Sequence, residues 1–435
     1  GQAGVIRGNG VSTLLTFLMS VAATATERTA GPEDYRAALW TLKPGDTLRL
    51  QAGVYTEGLS IAYLNGTETA PIVITGPESG DPALFLARPT DNTVSLVNTS
   101  YLTIRHLTLE GQGHPVDAVK AEGYSDWVHH VVLEDLIISG HGRDQQTVGI
   151  SSKCPAWGWV VRRNTIRGGG TGMYFGNSDG TAPFFAGLIE HNLIVDSLGY
   201  NLQIKHQNGR LLQEGSTTTI RHNVFSKLHQ ARPSPNARPN VLVGHWPDEG
   251  PGSNDHYEIY GNLFYQNPYE ALFQGEGNLA LYNNLFVNDH GDAIHIQPHN
   301  GIPKTVDIFF NTVLARDKGI VIRTGIGGAS YQQTVAGNVV FAAVPLTGGR
   351  QLQNTLGRLS DAVALLVQPV GRIDELDLRP RQGRLRGPPP ALSRLSRYEN
   401  WQRDFDGCHR DLTIRGAYGG DTSCPRWRPA LEAKP

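Results

Sequence analysis

Glu190-His191-Asn192-Leu193-Ile194, Arg221-His222-Asn223-Val224-Phe225 and Tyr260-Gly261-Asn262-Leu263-Phe264 are copies of one phrase: polar residues, an Asn, then a short apolar run. Upstream the phrase reads Ile104-Arg105-His106-Leu107, Leu133-Glu134-Asp135-Leu136 and Arg163-Asn164-Thr165-Ile166. Downstream it reads Asn283-Asn284-Leu285-Phe286, Phe310-Asn311-Thr312-Val313 and Gly337-Asn338-Val339-Val340. The anchors His106, Asp135, Asn164, Asn192, Asn223, Asn262, Asn284, Asn311 and Asn338 recur at intervals of 22 to 39 residues. Self-similarity at such a period marks a repeat architecture. Alternating β-branched residues, with Gly and Asn between the runs, make the units strands and not helices. One unit is too short to bury its apolar face alone, so units must stack. Coils of three short strands, stacked, give an all-β, single-stranded right-handed parallel β-helix of about nine to eleven coils. The Asn residues read as scaffold, because Asn tolerates the left-handed turn conformation and stacked amides hydrogen-bond along a column.

The remainder of the 435-residue chain is read against that solenoid. Gly31-Pro32-Glu33-Asp34 followed by YRAALWTL predicts a capped amphipathic helix over 32–42 that covers the N-terminal end of the stack. The solenoid domain is expected over 29–375, with an irregular C-terminal extension over 376–435 packed back on it. Residues 1–28 read as a signal or N-terminal segment: Arg7 precedes the apolar run 11–25, which ends in Ala23-Thr24-Ala25. Secretion or a periplasmic location follows from that reading, and no other apolar run approaches the length of a membrane span. A net charge of -2 with 18% charged residues excludes the usual cationic nucleic-acid binder. Three cysteines are too few for a disulfide scaffold, although Cys408 and Cys424 are close enough to pair in an oxidising compartment. Cys154 reads as a small buried residue.

Aligning the strand that follows each Asn turn by about ten residues sorts side chains into columns. Inward positions read Val119, Ile150, Met173, Leu202, Val241, Leu272, Ile294 and Ile320. One outward column reads Lys120, Ser151, Tyr174, Gln203, Leu242, Phe273, His295 and Val321. The next reads Glu122, Lys153, Gly176, Lys205, Gly244, Gly275, Gln297 and Arg323. Asn177, His206, His245, Glu276 and His299 lie just past the strand ends, and Asp248 and Glu249 follow Trp246 on a loop beside the stripe. Rungs about 4.8 Å apart place the central coils on a stripe some 20–25 Å long, the length of several sugar units. Catalytic candidates are Lys205, His245 or His206 as base, Glu276 as acid, and Arg323 as a bidentate carboxylate ligand. Tyr174, Asn177, Gln203, Trp246, His295, Gln297 and His299 are candidate substrate-binding groups. Glu276, His245 and His299 also form an oxygen-and-imidazole set that suits a divalent metal ion. The Pro-rich insertion around 231–236 is expected to wall the stripe within loop 228–256.

Gly45-Asp46-Thr47-Leu48-Arg49-Leu50-Gln51-Ala52-Gly53-Val54-Tyr55 resembles the opening coil of secreted right-handed β-helix proteins related to pectate lyases and to alginate lyases and epimerases. The phrase DFDG…IRGAYGG is similar to a closing motif of bacterial β-helix repeat proteins. The resemblance spans roughly residues 31–420. It implies a polysaccharide or oligosaccharide ligand and a lyase or epimerase acting on a uronate-containing chain. The Asp-Pro-His signature of the epimerases, the acidic calcium cluster of pectate lyases and the Lys-and-Arg spacing of the chondroitinase-B-like lyases are absent, so no family catalytic residue transfers. Two other readings stand beside it: glycoside hydrolysis by paired carboxylates, Glu276 with Asp248 or Asp292, and non-catalytic glycan binding or adhesion.

Overall fold

A computed structural model describes residues 24–215, 217–228, 235, 237–391, 393–420 and 423–435. The apolar run 11–25 therefore lies almost wholly outside the described residues. Strands of two to seven residues recur around each coil in the order sheet 1, sheet 3, sheet 2, as in Thr47–Leu50 (sheet 1), Gly53–Tyr55 (sheet 3) and Leu59–Ala62 (sheet 2). They stack into three long parallel sheets of 15, 12 and 11 strands. The chain is a parallel β-helix, as the repeat requires.

Inside the coil, each sheet contributes one apolar column. In sheet 2 it runs Val94, Val119, Ile150, Met173, Leu202, Val241, Phe273, Ile294 and Ile320, all in register and all buried. Phe273, and not Leu272, is the inward residue of its rung. Gln274 then faces outward beside Leu242 and His295. Gly275 points inward, and Glu276 occupies the outward position beyond it. Leu272 and Phe273 are adjacent apolar residues that fit either alternation, and a one-residue slip exchanges the faces.

The Asn column is real and begins at Asn164. Each Asn side-chain oxygen accepts two hydrogen bonds from the preceding Asn, one from its backbone N–H and one from its Nδ2. The chain runs through Asn192, Asn223, Asn262, Asn284, Asn311 and Asn338 at 2.9–3.1 Å and ends on Asn354. These Asn residues do not take the left-handed conformation. The residue before each does: Arg163, His191, His222, Gly261, Asn283, Phe310 and Gly337 all have positive φ. His106 and Asp135 belong to that turn column, with φ of 56° and 53°, and are not ladder members. Leu136 N–H caps the ladder on Asn164 Oδ1.

The N-terminal cap is shorter than expected. The helix spans Tyr35–Leu39, and Asp34 accepts from Gly31 N–H instead of capping the helix. At the other end, residues 394–434 pack along the outside of sheets 1 and 3. Cys408 and Cys424 are disulfide-bonded. Cys154 is buried, which pushes its thiol up to about 12.

Candidate active site

Sheet 2 turns its outward face to solvent along several rungs, and backbone ladder bonds fix which residues stand side by side. Lys153 N–H bonds Ala121 O, Gly176 N–H bonds Ser152 O, Lys205 N–H bonds Phe175 O and Gly244 N–H bonds Ile204 O. The outer column is therefore Glu122, Lys153, Gly176, Lys205, Gly244, Glu276, Gln297 and Arg323. Gly176, at φ +105°, leaves the rung between Lys153 and Lys205 without a side chain. Lys153 uses that room. Its Nζ donates to Gly176 O at 2.8 Å and sits 3.1 Å from the centroid of the Tyr174 ring.

A cavity of about 310 Å³ opens here, lined among others by Asp117, Lys120, Lys153, Tyr174 and Gln203. Burial lowers the Lys153 amine to about 7; Asp117 opposes that shift, while Lys120 and Lys205 add to it. Burial likewise raises Asp117 to about 6, against the Val148 N–H donated to its Oδ1. Lys205 is half-buried, which lowers its amine, and among the described residues no side chain pairs with it. Gln203 is 8% exposed with no hydrogen-bond partner for its carboxamide among the described residues. The Lys153 ammonium, the Tyr174 ring and the Gln203 amide thus line one space, with Lys205 two rungs from Lys153 on the same column.

Farther along the stripe the groups are committed to one another. Glu276 is buried, and its two carboxylate oxygens accept backbone N–H groups from His245, His299, Asn300 and Gly301 at 2.8–3.3 Å. It organises the 299–301 turn, and those four donors occupy the oxygens that an acid or a metal ligand needs. His245 and His299 thus meet Glu276 through their backbone N–H groups. Among the described residues, however, no cluster of three or more His, Cys, Asp or Glu is arranged to hold a metal ion. His245 Nδ1 lies 2.7 Å from Trp246 O, and Gly301 closes over the ring. His206 packs 5.3 Å from the His245 ring; burial first, then His245, lowers it, and among the described residues its buried Nδ1 has no partner. Burial also lowers His299.

Two expected ligands have structural duties instead. Trp246 is 2% exposed and packs on Tyr257 at 4.5 Å inside the core, because the chain turns inward after His245. Asn177 Oδ1 accepts from Thr181 and Ala182 N–H and holds the 177–182 turn. Asp248 lies 3.1 Å from Lys304 on the side of sheet 1 and Asp292 lies 2.8 Å from His295 Nε2, so neither expected partner stands as a free carboxylate beside Glu276. At the far end of the stripe His295 Nε2 lies 2.8 Å from Asp292, and Arg323 donates to Gln297 Oε1 at 2.9 Å. His295, Gln297, Gln274, Glu270 and Asp292 line an adjacent cavity of about 360 Å³. Part of the insertion expected to wall the stripe, 229–234 and 236, lies outside the described residues; Pro239 borders this cavity.

Sequence reasoning placed Lys153 in the outward column but assigned it no role, and it did not single out Asp117. The only available signal was rarity, with eight Lys against thirty Arg in the chain.

Among solved structures the chain is similar to a GH136 lacto-N-biosidase from Eubacterium ramulus, at 13% identity and a TM-score of 0.53. That match covers 76% of this chain and 67% of the other. It is also similar to the PL6-family alginate lyase AlyGC, at 14% identity and a TM-score of 0.50, covering 93% of this chain and 60% of that enzyme. The likeness is one of fold. No protein-family model matches the chain, and no curated protein matches it either. Among the described residues no helix is long and apolar enough to cross a membrane.

Proposed function

We propose that the chain is a carbohydrate-active enzyme that removes the C5 proton of a uronate residue in a polysaccharide, as a lyase or an epimerase. The observation that carries this reading is the Lys153 amine, lowered to about 7, lying across Tyr174 with Lys205 unpaired on the far side of the Gly176 gap. A base that is partly neutral near pH 7 is matched to proton abstraction. Lys205 is placed to neutralise the uronate carboxylate and to stabilise the enolate that forms when the C5–H electrons move onto it. In elimination, those electrons then form the C4–C5 double bond as the C4–O bond breaks, and the departing oxygen takes a proton from the Tyr174 phenol or from solvent. In epimerisation a proton returns to C5 from the opposite face and no bond to oxygen breaks. Gln203 and Asp117 supply hydrogen bonds that hold a sugar hydroxyl against the floor of the cavity. The polysaccharide lyase and hydrolase among the fold neighbours are in keeping with a glycan substrate. An extracellular or periplasmic location suits such a substrate and is part of the same proposal.

The test is incubation with a panel of uronate polysaccharides in deuterium oxide. Ultraviolet-absorbing unsaturated ends identify a lyase, and deuterium at C5 without chain cleavage identifies an epimerase. A panel that yields neither overturns the reading. Reducing ends formed without ultraviolet absorbance would select hydrolysis instead. The feature that favours that second reading is Glu270, whose carboxyl is raised by burial and which lines the same cavity as Asp292. Saturable binding with no turnover of any kind would leave a glycan-binding module.

A further inference from the structure

A larger cavity, of about 500 Å³, lies on the outer face of sheet 1, on a different side of the solenoid from the stripe. Its floor is one column on three successive rungs: His256, Asn278 and Thr305, set by the Tyr257, Leu279 and Val306 register. The neighbouring columns are covered by the C-terminal segment. There Glu399 N–H donates to Glu258, Tyr282 OH donates to Glu399 O, and Arg394 donates to the fully buried Asp307. That covering stops at Arg397 and Tyr398, which form one wall; the loop carrying Asp248, Ser253 and Asn254 forms another.

The contents of this cavity suit an anion. The Lys304 side chain is only 14% exposed, yet its one carboxylate partner among the described residues, Asp248, is 76% exposed at the edge of a loop. The Tyr331 ring stands 5.6 Å from the same ammonium. A shielded cation is normally paired with a shielded anion, because an exposed pair gains little. Here the anion can swing into water and leave the ammonium to an incoming carboxylate. A pyranose ring attached to that carboxylate would lie against Tyr331, whose flat apolar face fits the C–H face of a sugar. His256 and Thr305 would meet its hydroxyls.

We infer that this cavity is a second, non-catalytic site for a carboxylate-bearing oligosaccharide. The ligand class rests on the reading of the stripe given above. Such a site would hold another stretch of the polymer while the stripe works on one residue, which raises the local concentration of substrate.

The experiment uses the full chain with the stripe disabled by Lys153→Met and Lys205→Met. Calorimetric titration with oligomannuronate, oligogalacturonate and hyaluronan hexasaccharides reads the binding that remains, and the cavity variants below assign it to the second site. At least one probe is expected to bind, and adding Lys304→Met or Tyr331→Ala should weaken it about tenfold. Asp248→Asn should strengthen it about twofold, since it removes the competing carboxylate. Failure of every probe to bind the disabled chain, or binding indifferent to both Lys304→Met and Tyr331→Ala, overturns the inference. The chain with an intact stripe is assayed separately for turnover of the same probes. Loss of turnover with retained binding to the disabled chain would sink the catalytic reading and leave this site standing.

Discussion

The two outer faces of the solenoid use charge in opposite ways. On sheet 1, Arg105, Glu134, Arg162, Glu190 and Arg221 stand on successive rungs and alternate in sign. Each carboxylate bridges two guanidinium groups, as Glu134 does to Arg105 and Arg162 and Glu190 does to Arg162 and Arg221. On sheet 2, the cations Lys153, Lys205 and Arg323 stand on one column, and among the described residues none has a carboxylate within ion-pair distance. Glu122 is engaged by Asn92, Ser95 and Lys120, and Glu276 by four backbone donors. Alternating charge satisfies itself and builds a wall. Repeated charge of one sign costs stability unless an anion arrives from outside, so the Lys153–Lys205 stretch of sheet 2 is open to a ligand where the Arg105–Arg221 stretch of sheet 1 is not.

The largest effect should come from the unsatisfied face. Lys153→Met should lower turnover by roughly 10² or more while the thermal midpoint stays near that of the parent chain. Wild-type turnover in that variant would break the assignment of the base. Next comes the interior scaffold shared by both faces. Asn223→Ala removes two ladder acceptances and strands buried donors on Asn192, so denaturant unfolding should show a loss of about 1–3 kcal/mol. Product distribution should not change, because the ladder touches no substrate group.

A smaller and sharper test concerns pH. The base acts when neutral, so kcat/KM should rise with pH and reach half its plateau near 7, where Lys153 loses its proton. Asp117 favours the charged amine, so Asp117→Asn should move that midpoint to lower pH. A midpoint unchanged in Asp117→Asn, or moved upward, would show that another group controls the limb. The smallest effect is expected at Lys205. Lys205→Met should raise KM about tenfold with a lesser change in kcat, since its charge meets the carboxylate both before and during reaction. The equivalent change on sheet 1, Arg162→Met, should leave both constants alone.

The fold was legible because a repeat states its own rule many times. Nine anchors outvote any single misleading residue, and the Asn column could be named member by member from Asn164 onward. The candidate site was legible only in part. Tyr174, Gln203 and Lys205 were brought to one face by strand alternation alone, which is a local property. Lys153 shares that face, but nothing local states that its ammonium bends back over Tyr174. That posture depends on Gly176 one rung away in space and 23 residues away in sequence. Asp117 precedes its strand, and its burial is set by Val148 on the next coil. Glu276 looked free because a carboxylate after a strand is usually solvated; its four donors come from other turns. Trp246 looked like a sugar platform because aromatic residues near a stripe often are, but the chain direction after His245 turns it to the core.

The C-terminal segment lies lengthwise across the stack. Between residues 394 and 434 it makes bonds to Asp307, Tyr282, Arg221, Asn283 and Gly261, which belong to several different coils. A solenoid in which each coil touches only its neighbours melts like a zipper, one tooth at a time from an end. A splint fastened to many teeth at once forbids that. The coils it crosses, from that of Arg221 to that of Asp307, should therefore open together and not one at a time, so a chain pulling on that part of the groove works against the stiffness of a splinted block.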